Sequence, residues 1–288
     1  MPSLKEIRGR INSVSATLKI TDVNRMISSA KLHKAQGSLN SFLHYKNSIL
    51  STFYDIINSL PETNIPLMTE NTDAKKVLIV SFSSNTGLCG AFNTNVIKKT
   101  VETIDRYREK SYNVSLYTIG KKVYDGFSHN RDIELENVPS DIYDHQSYTQ
   151  VSEIAEKVLT MYLNREIDEV VMIYNRFKNI LTQYILEKKL LPMTNGDIRK
   201  DSYPDYIMEP DRKTLVNVLA PQVVKLAFYE TFLESLVAEY AARSSAMQAA
   251  TDNANDLLGE LSTQYNKVRQ SAITGELIDI VGGSEALK

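Results

Sequence analysis

The first sixty residues carry apolar side chains at alternating spacings of three and four, which is typical of one face of a long helix. Ser3 and Glu6 have the spacing of a capping box at the start of a helix. The pattern weakens between Thr21 and Lys34 and returns at Leu39, and a proline at position 61 is expected to stop the helix. The apolar positions near the start are Leu4, Ile7, Ile11, Val14 and Leu18.

A second apolar stripe starts near Pro221, a residue suited to the first turn of a helix, and continues to Ile280. The pair Gly282-Gly283 is expected to end this helix. At a rise of ~1.5 Å per residue each helix would be about 90 Å long, which is too long to be buried within one domain. Two such helices are most stable when they pair, and an insert between them makes the pair antiparallel.

Small side chains recur in the middle of both helices. They include alanines from Ala238 to Ala254 and the run Ser28-Ser29-Ala30. Because small residues allow helix axes to approach closely, this pattern favours a thin stretch in the helix pair.

Between the two helical patterns the hydrophobic period changes. The segments 75–82, 114–119 and 169–176 are predicted to be strands, the segments 95–110 and 147–164 helices, and 180–191 an additional antiparallel strand. Alternation of strand and helix indicates an α/β layer with parallel strands. The predicted fold is therefore an α/β insert domain plus a long antiparallel two-helix coiled coil formed by the N- and C-terminal helices. The expected parts are helix 1–60, linker 61–74, α/β (Rossmann-like) domain 75–195, return segment 196–212 and helix 213–288.

Composition narrows the class of protein. With 42% hydrophobic and 24% charged residues the chain matches a soluble globular protein. Lys and Arg number 33 against 35 Asp and Glu, which argues against a nucleic-acid partner held by phosphate contacts. The single Cys89 cannot form an intramolecular disulfide, and the N-terminus lacks the apolar core of a secretion signal, so a reducing compartment is expected.

The segment from Ser83 to Asn93 follows a predicted strand and precedes a helix, the position at which nucleotide-binding loops occur. It has neither the G-x-G-x-x-G spacing nor a Walker lysine, so a structural turn is the better interpretation. Cys89 has no nearby histidine to activate it and is expected to be a packed residue. No catalytic, cofactor-binding or metal site is predicted, since the four histidines lack ligand spacing: His33, His44, His129 and His145.

The charge of the N-terminal segment is asymmetric. Residues 1–60 contain eight basic and three acidic side chains. A solvated helix face is the ordinary explanation, and binding to an acidic protein is the second.

The chain contains several spaced motifs: Lys5-Glu6-Ile7-Arg8-x-Arg10-Ile11, Lys19-Ile20-Thr21, Gly87-Leu88-Cys89-Gly90, Glu209-Pro210-Asp211, Ala246-Met247-x-Ala249-Ala250-Thr251-Asp252-Asn253-Ala254, Tyr265-Asn266-Lys267-x-Arg269-Gln270-x-x-Ile273-Thr274-x-Glu276-Leu277 and Ile280-Val281-Gly282-Gly283. With these motifs the chain resembles one family, the gamma subunit of the F-type rotary ATP synthase of bacterial type. The pair Asn85-Thr86 departs from the acid-base pair common in that family, and Asn24 stands where a methionine is common.

The resemblance implies a non-catalytic rotor subunit that couples proton flow to ATP synthesis or hydrolysis. The implied partners are the alpha and beta subunits of the catalytic hexamer, the epsilon subunit and the membrane c-ring, at the cytoplasmic face of the plasma membrane. A nucleotide-binding α/β enzyme and a generic coiled-coil tether remain the alternatives. The residues implied to contact the hexamer are Arg8, Arg10, Arg25, Arg269, Gln270 and Thr274, and those implied to contact the ring are Tyr206, Met208 and Glu209.

Overall fold

The computed structural model describes residues 3–59, 65–69, 71, 75–129, 133–137, 142–145, 147–193, 208–209 and 211–285. Tyr206, one of the predicted ring contacts, lies outside these residues. In chain order the elements are α1 (Leu4–Asn58), β1 (Lys76–Phe82), α2 (Phe92–Glu109), β2 (Asn113–Ile119), α3 (Lys121–Phe127), β3 (Glu134–Asn137), α4 (Ile142–His145), α5 (Tyr148–Leu163), β4 (Glu169–Phe177), β5 (Gln183–Leu191) and α6 (Arg212–Glu285).

The first helix starts with the predicted capping box. The Glu6 carboxylate accepts a hydrogen bond from the Ser3 amide at 2.9 Å, and the Ser3 hydroxyl accepts one from the Glu6 amide at 3.2 Å. Two otherwise unpaired backbone donors are thereby satisfied at the helix start.

Neither Pro221 nor the pair Gly282-Gly283 marks an end of the last helix. The helix begins at Arg212, where Asp211 accepts hydrogen bonds from the amide and hydroxyl of Thr214, so Pro221 lies inside α6 rather than in its first turn. At the other end α6 continues through Gly282-Gly283 to Glu285. Glycine costs only about 1 kcal/mol in a helix, so the pair does not by itself end one.

The central sheet has the order β3-β2-β1-β4-β5. Strands β1, β2, β3 and β4 are parallel, and β5 pairs antiparallel with β4. This confirms the parallel strands predicted at 75–82, 114–119 and 169–176 and the antiparallel strand predicted at 180–191. Strand β3 and helix α3 were missed because each spans too few residues to produce a clear hydrophobic period.

Alternate residues of the central strands point into two separate cores. On one face Val77 and Ile79 pack with Val96 and Ile104 of α2. On the other face the sheet packs with α5, α1 and α6, where Phe232 is fully buried. Burial on both faces explains the nearly continuous apolar sequence of β1.

The chain divides into two compact units, one containing residues 1–28 and 244–288 and the other residues 29–243. Within the first unit the helices run antiparallel: the Thr21 and Thr251 hydroxyls are 2.9 Å apart, while Val14 lies in a groove with Leu257 and Leu261. Within the second unit the same direction holds, since Lys31 lies over the ring of Tyr240 while Phe42, later in α1, makes an edge-to-face contact with Tyr229, earlier in α6. Each unit therefore contains a stretch of antiparallel helix pair.

The small residues do not all serve the helix pair. Ala30 is exposed, whereas Ser28 is buried. Ala238 and Ala242 pack against Cys89 and Phe92 of the sheet domain. Part of the loss of bulk on α6 therefore accommodates a loop and not the other helix.

Candidate partner-binding surfaces

The predicted hexamer-contact residues all lie in the unit of residues 1–28 and 244–288. Arg8 and Arg10 are exposed near the start of α1. Arg25 is half-buried, and its guanidinium lies 2.7 Å from the carboxylate of Asp22, one helical turn earlier. Arg25 is therefore already paired, whereas the exposure of Arg8 and Arg10 leaves their charges open to a partner.

The predicted contacts on α6 are exposed and occupy two neighbouring faces. Gln270 and Thr274 are one turn apart and lie on the same face, and the Thr274 hydroxyl donates to the Gln270 carbonyl at 2.9 Å. Arg269 is one residue earlier and is also exposed. The Gln270 amide and the Arg269 guanidinium are therefore the polar groups most accessible to a partner here.

The register of the helix pair brings the two sets of contacts close together. Arg269 lies eighteen residues along α6 from Thr251, and Ser3 lies eighteen residues back along α1 from Thr21, the partner of Thr251. Arg269 is therefore about level with Ser3, at the start of α1. Beyond it, α6 extends past the first described residue of α1.

Two exposed apolar surfaces were not predicted. One lies on the C-terminal turns of α6, where the exposed side chains are Ile273, Leu277, Ile278, Ile280 and Val281. The other lies on α1, where Ile20, Val23, Met26 and Ile27 are 62%, 53%, 54% and 49% exposed. Contiguous exposed apolar side chains of this kind mark interaction surfaces.

The second surface explains why the hydrophobic pattern weakened after Thr21. The buried positions of α1 there are Thr21 and Ser28, which are polar, while the large apolar side chains point away from α6. Apolar side chains on α1 that lie outside the face buried against α6 indicate a surface for another protein.

The predicted ring contacts are only partly described. Glu209 is exposed, whereas Met208 is half-buried against the large core of the second unit. A side chain that packs on its own core has less surface to offer a partner.

The loop between β1 and α2, residues 83–91, is held tightly against the carboxyl end of the sheet. The Ser83 amide donates to the Ile119 carbonyl at 2.7 Å, and the Tyr143 hydroxyl donates to the Ser83 carbonyl. Burial raises the pKa of Tyr143 far above its usual value, so it remains a neutral donor. The Asn93 side chain bonds the amide and hydroxyl of Ser84.

These bonds occupy backbone N–H donors that a nucleotide phosphate would need. The Ser84 amide donates to the Asn93 side chain at 3.0 Å, and the Lys122 amide donates to the Ser84 carbonyl at 3.1 Å. The side chain of Asn85 accepts from the amide of Lys121 at 3.2 Å, at the start of α3. The loop thus has a structural function at the edge where α/β proteins commonly bind ligands.

Ion pairs connect α6 with four other elements in the second unit. The Glu230 carboxylate lies 2.5 Å from Lys46 of α1 and 3.6 Å from Lys188 of β5. Glu234 lies 3.3 Å from Arg176 of β4, and burial raises the pKa of Glu234. A further pair, Lys225 with Glu156 of α5, is more exposed.

Among the residues that the structure describes, none of the helices combines the length and apolar character needed to cross a bilayer.

Together these features define a class of protein in which an α/β domain is inserted between two long helices that pair antiparallel and expose basic and apolar surfaces. The ATP synthase family profile matches residues 3–287. The chain is 39% identical to the ATP synthase gamma chain of Christiangramia forsetii, over 100% of this chain and 99% of that one. It is 40% identical to the gamma chain of Bacteroides fragilis, over 99% of this chain and 100% of that one. The chain belongs to the ATP synthase gamma-chain family.

The fold agrees with solved structures at low sequence identity. A chain of the Euglena gracilis mitochondrial ATP synthase is 20% identical with a TM-score of 0.65, covering 99% of this chain and 94% of that one. A chain from the central stalk and c-ring of the Tetrahymena thermophila enzyme is also 20% identical, with a TM-score of 0.57, covering 80% of this chain and 99% of that one.

Proposed function

We propose that this chain is the central rotor subunit of a bacterial proton-translocating ATP synthase. It transmits rotation between the membrane ring and the catalytic hexamer, and so couples proton flow to ATP synthesis or hydrolysis. The observation that carries the proposal is membership in the gamma-chain family over residues 3–287. In this role the subunit needs no catalytic residue of its own.

The mechanical requirements of a rotor agree with the local structure. Torque must pass between the sheet domain and the long helices, and in the second unit these share one core containing Phe228 and Phe232. Close-packed interiors deform little and therefore transmit force. An asymmetric rotor can then favour a different conformation at each of three catalytic sites.

The parts of the chain have separate tasks in this proposal. Residues 1–60 and 213–288 form the shaft, residues 75–195 form the domain beside it, and residues 61–74 and 196–212 connect them. The subunit would work at the cytoplasmic face of the plasma membrane as a peripheral component.

The catalytic alpha and beta subunits are the proposed partners of the shaft end. Arg8, Arg10 and Arg25 would offer cations to acidic loops of the hexamer, while Arg269, Gln270 and Thr274 would hydrogen-bond it. Exposure of Arg8, Arg10, Arg269 and Gln270 supports this assignment, and the Asp22 pair makes Arg25 the weakest member.

The membrane c-ring and the epsilon subunit are the other proposed partners. Tyr206, Met208 and Glu209 would meet polar loops of the ring. Among the residues that the structure describes, exposed Glu209 is the best supported of the three.

A coupling assay tests the proposal directly. We expect the chain to copurify with the alpha and beta subunits, and we expect Arg269→Ala and Glu209→Ala to lower proton pumping more than they lower nucleotide binding. Lys157→Ala, which alters an exposed pair inside the sheet domain, is the control. Failure to assemble with the hexamer, or equal effects in all three variants, would contradict the proposed function.

Two further experiments address the alternatives. Equilibrium dialysis of the full chain with ATP should show no binding, and saturable binding would favour an enzyme that uses the loop at residues 83–91. Insertion of one heptad into both shaft helices should abolish coupling, because a rotor seated between two partners has a set length. A tether would tolerate that insertion.

A further inference from the structure

The loop at residues 83–91 has a contact that the proposed function does not explain, with Arg243 of α6. One terminal nitrogen of the Arg243 guanidinium donates to the Thr86 carbonyl at 3.1 Å and to the Thr86 hydroxyl at 3.0 Å. The Gly87 carbonyl accepts from the same nitrogen and from Nε, each at 3.4 Å. A single side chain therefore spans from the helix to two consecutive residues of the loop.

Glu239 holds that guanidinium in place. Its Oε1 accepts from the other terminal nitrogen of Arg243 at 2.6 Å, one helical turn away. Both side chains are largely buried, at 7% exposed for Glu239 and 13% for Arg243. Charge-assisted bonds between buried groups are short and directional, so the plane of the guanidinium is set by Glu239 before it reaches the loop.

An apolar contact completes the attachment. Cys89 and Phe92, at the end of the loop, pack against Ala238 and Ala242 on the same helix. Alanine at these two positions allows the loop backbone to approach α6 closely enough for Arg243 to reach its carbonyls. A larger side chain would separate the two surfaces.

The other side of the loop is bonded to the sheet. Ser83, Ser84 and Asn85 are tied to β2, α2 and the start of α3 by backbone and side-chain hydrogen bonds. The loop thus connects the carboxyl end of the sheet with α6, and a force applied to either one reaches the other through it.

We infer that Arg243 is a positioning residue that fastens the loop at residues 83–91 onto α6, so that the sheet domain and this part of the helix turn as one body. The consequence for coupling rests on the proposed rotor function, whereas the attachment itself does not. Arginine is required because its guanidinium bonds the carboxylate and the loop carbonyls at the same time. Lysine offers a point charge and cannot present that planar fork.

The native cysteine provides a probe of the attachment. Cys89 is the only cysteine of the chain, and this residue of the loop is 2% exposed where it packs against α6. Its rate of reaction with a soluble maleimide therefore measures how often the loop lifts from α6. No residue needs to be introduced to make the measurement.

We expect Arg243→Gln to increase the labelling rate of Cys89 in the full chain by about tenfold or more, because bonds to a charged group are lost. Arg243→Lys should also increase it, since lysine can keep the Glu239 pair but not both loop contacts. Lys157→Gln, which removes a pair of 2.7 Å between α5 and β3, should leave the rate unchanged. Circular dichroism melting would show that each variant is folded at the labelling temperature, and Arg243→Lys carries the test if Arg243→Gln does not fold.

The second measurement is made in the assembled complex in membrane vesicles. We expect both Arg243 variants to lower the number of protons pumped per ATP hydrolysed by about twofold or more, with the Lys157 control unaffected. Unchanged Cys89 labelling in the Arg243 variants would overturn the attachment. Faster labelling with an unchanged pumping ratio would overturn its role in coupling.

If the proposed rotor function is wrong, the labelling and pumping experiments will give a different combination of results. The unaltered chain would then not assemble with the hexamer or support pumping, while the labelling experiment on the full chain would still decide whether Arg243 fastens the loop.

Discussion

The ion pair between Lys46 and Glu230 offers a quantitative test of how α1 is held to α6. Their side chains are 12% and 11% exposed, and the two charged atoms are 2.5 Å apart. Removing one partner of a buried pair costs ~3–5 kcal/mol because the other charge is left without compensation. Lys188, at 3.6 Å from the other oxygen of Glu230, would offset part of that cost. We therefore expect Lys46→Met to lower the free energy of unfolding by about 2–3 kcal/mol.

A double-mutant cycle with Glu230→Gln isolates the pair. Urea unfolding of the full chain, followed by circular dichroism, would give the free energies at an unchanged m-value. We expect the double variant to lose about 1–2 kcal/mol less than the sum of the single losses. The matched control is the pair Lys157 and Glu136, which is 65% and 45% exposed and should couple by less than about 1 kcal/mol. Additive losses at Lys46 and Glu230, within ~0.5 kcal/mol, would refute the reasoning.

Two further substitutions test local strain and burial. At Gly120, which has a φ of +103°, a Cβ would lie 2.2 Å from the Ser83 carbonyl oxygen, so Gly120→Ala should lower the free energy of unfolding by about 2–4 kcal/mol. Gly259→Ala is the control, because a Cβ at this helical position would meet no other atom within 4 Å. It should raise the free energy of unfolding by ~0.5–1 kcal/mol. Equal effects of the two substitutions in urea titrations would contradict the clash at Gly120. Burial raises the pKa of Glu234 despite Arg176, so its contribution to stability is present below its unfolded pKa of about 4.5 and is lost as the pH rises through the folded value. Glu234→Gln should therefore flatten the fall in stability above about pH 4.5, and an unchanged pH profile would show that the carboxyl does not titrate differently in the folded chain.

The hydrophobic pattern was sufficient for the longer elements. Strand β1 is buried on both faces and helix α5 on one, so each produced a clear signal within its own segment. Strand β3 has only four residues, and its place in the sheet depends on its pairing with β2, whose paired residues lie 19 positions earlier, as in Ser115 with Glu134. Local patterns cannot report a pairing of that kind.

Pro221 was expected in the first turn of the last helix, and it lies inside α6 instead. Pro221 suits a first helical turn, but Asp211 provides the cap through Thr214, and the helix tolerates the proline ten residues later. The Asp211 signal was present in the sequence and could have been used. The burial of the polar residues Thr21 and Ser28 could not be predicted from the sequence in this way, because it depends on contact with α6.

The amino-acid sequence by itself determined the order of the longer helices and strands, the parallel character of the sheet and membership in the gamma-chain family. Those properties follow from the hydrophobic periodicity within single segments and from short sequence motifs. Only the tertiary structure decided that Arg243 reaches Thr86 and Gly87, that Glu230 lies between Lys46 and Lys188, and which face of α1 near Ile20 stays exposed. Such contacts join residues that belong to different helices, strands and loops, and their energies depend on burial and geometry that exist only once the chain has folded.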